Sequence, residues 1–271
     1  MAASAMPFRV SPSQKSAGWR GDYLFLIESL IARDFRIRYR NMSLGVFWSL
    51  LNPLVMMGVL WFIFTRVFPN NSTPHFAVFA LCGLVPYNFF SIGWVTGTNS
   101  LIENANLIKR LRIPRHMIPI ATVMATCVHL AAQTILLFTL VLASGYRINW
   151  NWLWLIYVWT FLIVFTGGMA LVFSALNIYI RDIRYVVEST NLVLFWLVPI
   201  FYPFNIIAPE YREIYRLNPI AAVVLASRNI LLEATAPPAT ILWKLPMVAI
   251  ATLLVGFWVF RRLQAGFYNH L

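Results

Sequence analysis

The 271-residue sequence predicts an all-α, polytopic membrane protein, on three observations. Hydrophobic residues make up 60% of the chain and charged residues only 11%, and the mean hydropathy is +0.72. Apolar runs of membrane-crossing length recur along the chain. The basic residues gather in the segments between alternate runs. A chain of this composition has lipid as its natural solvent, and in lipid each backbone polar group must be paired within its own helix.

The elements follow in order. Residues 1–20, rich in Ala, Ser and Pro, read as a mobile tail, and residues 21–271 as one membrane domain with no room for a separate soluble one. No early apolar core with a small-residue cleavage site precedes residue 45, so no removable leader is expected. Residues 22–42 form an amphipathic helix lying in the interface. Leu24, Ile27, Ile31 and Phe35 fall on one stripe, and Ser29, Arg33, Arg36 and Arg40 on the opposite face. Periodicity alone leaves two roles open for that face: an anchor on anionic lipid, or a dock for a cytoplasmic partner or an anionic substrate. Gly45, after Leu44, permits the reversal from a flat helix to a spanning one, and Pro53 after Asn52 kinks the span that follows.

Spans are expected at about 46–68, 76–101, 117–144, 152–180, 188–202 and 241–260, six in all. Between the last two, residues 203–238 contain "NPIAAVVLASRNILLEA", too short to cross and interrupted by Arg228. It reads as a re-entrant or interfacial helical pair. The preceding "VPIFYPFNIIAPEYREIYRLNP" has the character of a lid.

Of the 21 Lys and Arg residues, fifteen fall on the side carrying both termini and six on the other. By the positive-inside rule both termini are cytoplasmic. The formal charge of +12 is thereby a topology signal and an attraction to anionic membrane lipids, and no nucleic-acid partner is expected. Trp150, Trp152, Trp154, Trp159 and Trp243 read as an interfacial aromatic belt. Cys82 and Cys127 lie in apolar stretches and support neither a disulfide framework nor a metal site.

Catalytic residues are not expected. The chain has no G-x-x-x-x-G-K-[ST] loop to cradle a nucleotide. None of its nine acidic residues lies at mid-span, which disfavours an ion-coupled carrier. His129, with Gln133 one turn on, reads as a packed, hydrogen-bonded histidine, and Asp182 as the partner of a local ion pair with Arg181 or Arg184. A membrane acyl- or glycosyltransferase would need Asp182, Glu188 and His116, or Glu210 and Glu213, to converge.

Four stretches together resemble the permease subunit of type 2 ABC exporters, in the branch moving O-antigen, teichoic acid and related polysaccharides. They are "RDFRIRYRNMSLGVFWSLLNPLVMM", "LIKRLRIPRHMIPIATV", "ALNIYIRDIRYVVE" and the lid stretch quoted above, in family order from about Tyr23 onward. The resemblance implies a homodimer joined to two cytoplasmic ABC ATPase subunits. These would bind ATP and Mg, with no cofactor on this chain, and a polyprenyl-diphosphate-linked polysaccharide as substrate in a bacterial inner membrane. The alternative cargo is a capsular glycan, a drug or a lipid, which the landmarks of the polysaccharide branch fit less well.

The resemblance also implies residue roles. Arg33, Arg36 and Arg40 would contact the ATPase. Arg38, Tyr39, Leu44 and Gly45 would border the cytoplasmic channel entrance. Glu103, Lys109, Arg110 and Arg112 would belong to a cytoplasmic gate and coupling helix, and Tyr202, Tyr211, Tyr215 and Arg228 to an outer gate. Trp48, Trp61, Tyr87, Phe89 and Phe90 offer aromatic faces for sugar rings, with lipid or helix contact the simpler account of any single one.

Overall fold

The computed structural model describes residues 23–39, 75–110 and 113–267, with positions 51, 54–56, 58–59, 62–63 and 66 of the intervening segment. The expected tail, most of the first span, and Arg40, Leu44, Gly45, Trp48, Trp61 and Arg112 lie outside the described residues. Every regular element among the described residues is helical. They are α1 (Tyr23–Tyr39), α2 (Phe76–Glu103), α3 (Ala105–Arg110), α4 (Met117–Ala143), α5 (Leu153–Tyr179), α6 (Ile183–Leu197), α7 (Pro209–Leu217), α8 (Pro219–Leu231) and α9 (Ala239–Leu263).

Among the described residues, four helices are long and apolar enough to cross a bilayer: Phe76–Glu103, Met117–Ala143, Trp150–Tyr179, where a 3₁₀ turn extends α5, and Ala239–Gly266. Each of these four agrees with an expected span to within a few residues. The fifth does not. α6 starts at Ile183 rather than residue 188 and stops at Leu197 rather than Tyr202. Val198 precedes Pro199 and takes an extended conformation (φ −71°, ψ 135°), because the proline ring clashes with a helical residue before it. Fifteen residues reach about 22 Å, short of a hydrocarbon core of about 30 Å.

α5 sits at the centre, packed against α2 and most extensively against α9. The α5–α9 crossing depends on two glycines. A Cβ on Gly168 would lie 2.7 Å from the Leu253 nitrogen, and one on Gly256 would lie 2.6 Å from the Gly168 carbonyl oxygen. Only hydrogen at both positions lets the backbones touch, which is how helices associate where no hydrophobic force drives them together. Between α2 and α5, Phe90 stacks on Phe165 at 5.8 Å and Trp94 meets Phe173 edge-on at 5.2 Å. The buried Asn177 Nδ2 donates to the Thr98 carbonyl at 3.1 Å at the same contact.

The expectation for residues 203–238 is partly corrected. Two short helices do form, each with proline in its first turn, and the Asn218 side chain accepts from the Ile220 amide at 3.0 Å to cap α8. α8 is no surface element, however. Ala221, Val223, Val224 and Ala226 are fully buried against α2 and α5, because α8 carries small and branched apolar residues on nearly every side.

Trp159 also departs from the expected belt. It is buried and donates to the Ser227 hydroxyl at 3.3 Å, whereas Trp150 and Trp243 are largely exposed. Trp159 lies two turns inside α5, beyond an interfacial position. His129 and Gln133 are buried as expected. Asp182 makes no ion pair among the described residues. Arg184 is two positions along, on another face of the helix, and its guanidinium lies over the Tyr185 ring at 4.4 Å.

Candidate functional site

The helices define two ends of the bundle. At one end α1 meets the α2–α3 junction and the start of α4. At the other, α7 and α8 meet the starts of α2 and α9.

The α1 end is organised by one carboxylate. Leu30 is buried on α1, and Asp34 lies one turn later on the same face, where it is carried against α4. Its Oδ2 accepts from Thr122 Oγ1 at 2.9 Å, while Oδ1 accepts from Arg33 Nη2 at 2.8 Å in an ion pair. The same Arg33 nitrogen donates to Asn104 Oδ1. Asn104 ends α2, where its backbone leaves the helical region and its Nδ2 donates to the Ser100 carbonyl at 2.8 Å. One short network therefore ties α1 both to α4 and to the break between α2 and α3.

This placement changes the reading of α1. Arg33 is engaged inside the chain, while Arg36 is exposed. The stripe of Leu24, Ile27 and Ile31 adjoins that face and lines an open groove together with Ala32 and with Val128 of α4, and Leu24 is exposed. The side chains of Phe35, Arg38, Tyr39 and Arg110 lie outside the described residues.

α3 is held by a small apolar cluster in which Ile108 packs with Leu101, Phe260 and Phe267. Glu103 and Lys109 are exposed beside it. Arg115 donates to the Gln264 carbonyl at 2.7 Å, and Tyr179 to the Leu263 carbonyl at 2.6 Å, so the α9 C-terminus is fixed to the same end. His116 stands edge-on to Phe257 at 5.4 Å. Burial, with the Arg261 guanidinium adding to it, holds its pKa below the ordinary 6.5. An aromatic setting of this kind is not the carboxylate partnership that acid–base chemistry requires.

The opposite end is organised by Arg228 of α8, which is 4% exposed. Its Nη2 donates to the Ile200 carbonyl at 2.6 Å, its Nε to the Phe79 carbonyl at 3.4 Å, and its guanidinium lies 3.5 Å from the centre of the Phe79 ring. The arginine thereby pins the bent chain after α6 onto the start of α2. The Tyr202 and Tyr215 hydroxyls are 3.3 Å apart, and Tyr202 donates to the Leu197 carbonyl at 2.9 Å. Burial, followed by the bond to Tyr215, holds the Tyr202 phenol above its usual pKa. Arg212 bonds the Ile207 and Asn205 carbonyls, and Tyr211 is exposed. A cavity of about 780 Å³ opens beside Arg228, lined also by Phe204, Asn229, Glu233 and Lys244.

Tyr87, Phe89 and Phe90 are corrected as sugar-facing aromatics: they are 2%, 1% and 1% exposed within a single chain. Phe90 packs between Trp94 and Phe165, and Tyr87 donates to Asn191 at 3.0 Å. Helix packing takes up their faces. Sequence reasoning also missed Asp34 and Asn104. A lone acid four residues after Leu30, within a run of arginines, was the available signal for the first. Nothing in the sequence pointed to the second.

Residues 26–232 match the family model described as ABC-2 type transporter. The chain is similar to the O-antigen export system permease protein RfbA of Klebsiella pneumoniae, 30% identical over 217 residues that cover 79% of this chain and 83% of that one. It is similar to RfbA of Myxococcus xanthus at 27% over 247 residues, 90% of this chain and 95% of that one. It is also similar to the polysialic acid transport protein KpsM of Escherichia coli at 27% over 244 residues, 87% of this chain and 92% of that one.

Proposed function

We infer the function of this chain from the family it belongs to, that of the ABC-2 type transporters: it is the transmembrane permease of an ATP-driven polysaccharide exporter. The observation that carries this reading is the end-to-end similarity to O-antigen export permeases. The cargo is a lipid-linked, O-antigen-type polymer leaving a bacterial inner membrane, and ATP is hydrolysed with Mg on a separate ATPase subunit. A second reading keeps the architecture and changes the polymer to an acidic capsular glycan, which the similarity to a polysialic acid transport protein favours.

The network at the α1 end supports a coupling route. In a complex with the ATPase, α1 and the basic α2–α4 connection are the elements a moving ATPase would push, and Arg36 is an exposed cation on α1. Through Asp34 and Arg33 a displacement of α1 reaches Thr122 on α4 and Asn104 at the end of α2. The push is thereby delivered to two spans at their ends, where a rigid helix carries it across the membrane. Arg40, Arg38, Tyr39, Leu44 and Gly45 would complete the entrance beside α1. Glu103, Lys109, Arg110 and Arg112 would form the cytoplasmic gate.

The finer architecture in this proposal is a homodimer of six-span permeases with both termini cytoplasmic. α6 supports the dimer: Val187 is its one buried residue, and it exposes Leu192, Val193, Trp196 and Leu197, a face suited to a second copy. α7 and α8, with Tyr202, Tyr211, Tyr215 and Arg228, form the re-entrant outer gate.

The test is genetic and chemical together. Deleting this chain in its own bacterium should abolish surface polysaccharide and leave lipid-linked polymer inside the inner membrane, and re-expression should restore export. Unchanged surface polysaccharide after deletion would overturn the reading.

A further inference from the structure

Arg228 is buried, and no acid is hydrogen-bonded to it among the described residues. Its Nε and Nη2 go to neutral carbonyls, and its Nη1 is buried with no hydrogen-bond partner among the described residues. A charged donor in that position costs free energy until an acceptor reaches it. Arg228 is one of the residues that line the 780 Å³ cavity, so an acceptor for its side chain can come from there.

The cavity narrows what that acceptor is. Lys244 and Glu233 lie exposed along its lining, so with Arg228 the formal charge is two positive against one negative. A monoanion balances it. Glu233 is already counted in that balance: it acts on Arg228 through space but forms no ion pair with it among the described residues. Guanidinium presents a planar fork that matches the oxygens of a phosphate. The rest of the wall includes Phe79, Phe204 and Ile241, with Pro203 and Pro238, which suits an apolar chain better than a fully hydrated ion.

We propose that this cavity is a binding site for the phosphate group of a membrane amphiphile, gripped by the Arg228 guanidinium from within and by Lys244 from the rim. The site does not depend on which polymer is exported, nor on export itself. Its occupant joins α2, α8 and α9, because Phe79, Arg228 and Lys244 come from those three helices. A bound phosphate would hold the α8 end closed.

The experiment uses the full chain purified in mild detergent, titrated in separate arms with phosphatidylglycerol, diacylglycerol and inorganic phosphate, with bound adducts counted by native mass spectrometry. Two variants accompany the wild type. Lys244→Gln changes an exposed side chain and leaves the fold intact, and Arg228→Lys keeps the charge but loses the fork. One phosphatidylglycerol per chain is expected, bound about tenfold more weakly by either variant, with diacylglycerol retained poorly by all three. Variant-sensitive binding of inorganic phosphate alone would keep the phosphate site and assign it to the free ion. Equal binding of every ligand by wild type and Lys244→Gln, or diacylglycerol bound as well as phosphatidylglycerol, would overturn the proposal.

Discussion

The two ends of this bundle each rest on an arginine, and the two arginines are used in opposite ways. The side chain of Arg33 is 30% exposed and has its counter-ion, Asp34, as its neighbour in sequence. Arg228 is 4% exposed and holds carbonyls from two distant segments, 28 and 149 residues away in sequence. The first network is close to water, where ion pairs are weak and easily rearranged. The second is dry, where a lost partner is expensive. The α1 end is thus built from exchangeable contacts, and the end that holds a bent, non-helical backbone in place is built from a buried cation.

The largest expected effect comes from removing the buried cation. Arg228→Met should strand the Ile200 and Phe79 carbonyls and lower stability by about 3 kcal/mol, read as a reduced thermal midpoint in detergent. A loss no larger than that of an exposed arginine such as Arg184 would erase the contrast between the ends.

Asp34→Ala should cost only about 1 kcal/mol, since its ion pair joins adjacent residues near solvent, yet it should reduce export severely because both α4 and α2 lose their tie to α1. A double-mutant cycle with Arg33→Ala sharpens this point. Additive losses in stability would show that the two side chains do not act together.

Ala234 follows α8 with φ +54°, a left-handed conformation that strains a residue with a Cβ. Ala234→Gly should therefore raise the thermal midpoint slightly, by the equivalent of about 0.5 kcal/mol, and a lower midpoint would show that this turn is not strained.

The smallest effect belongs to His116. Its native pKa lies below the unfolded 6.5, so the folded protein binds fewer protons than the unfolded chain. That stability is present above pH 6.5 and declines as the pH falls through it. The decline between pH 7.5 and 5.5 should be smaller in His116→Gln than in wild type, and an identical decline would contradict the assignment.

The sequence carried much of the fold, for identifiable reasons. The spans at Phe76–Glu103, Met117–Ala143, Trp150–Tyr179 and Ala239–Gly266 are long apolar runs, and lipid leaves a long apolar run one choice of structure. α6 was misplaced by five residues because apolar composition continues through Val198–Tyr202, while the helix obeys Pro199. The interruption by Arg228 makes α8 read as re-entrant or interfacial, while carbonyls and the Phe79 ring from elements far away in sequence accept that charge in the interior.

The candidate site was legible only in part. Family motifs marked α1 and the α2–α4 connection, and arginine spacing marked an outward face. Asn104 and Thr122 carry no local signal, since hydrogen bonds to Arg33 and Asp34 exist only once α1 is laid against the bundle. The aromatic residues of α2 were ambiguous for the same reason, because a phenyl ring reads alike whether it faces a sugar or another helix.

The account stands most directly on what this chain binds when taken from its own membrane. Purified intact in mild detergent and weighed by native mass spectrometry, it should appear as two copies of this chain with two copies of a separate ATPase carrying a phosphate-binding loop. Asp34→Ala should leave that assembly in place while abolishing polymer-stimulated ATP hydrolysis. A stable particle that contains no ATPase would contradict the exporter.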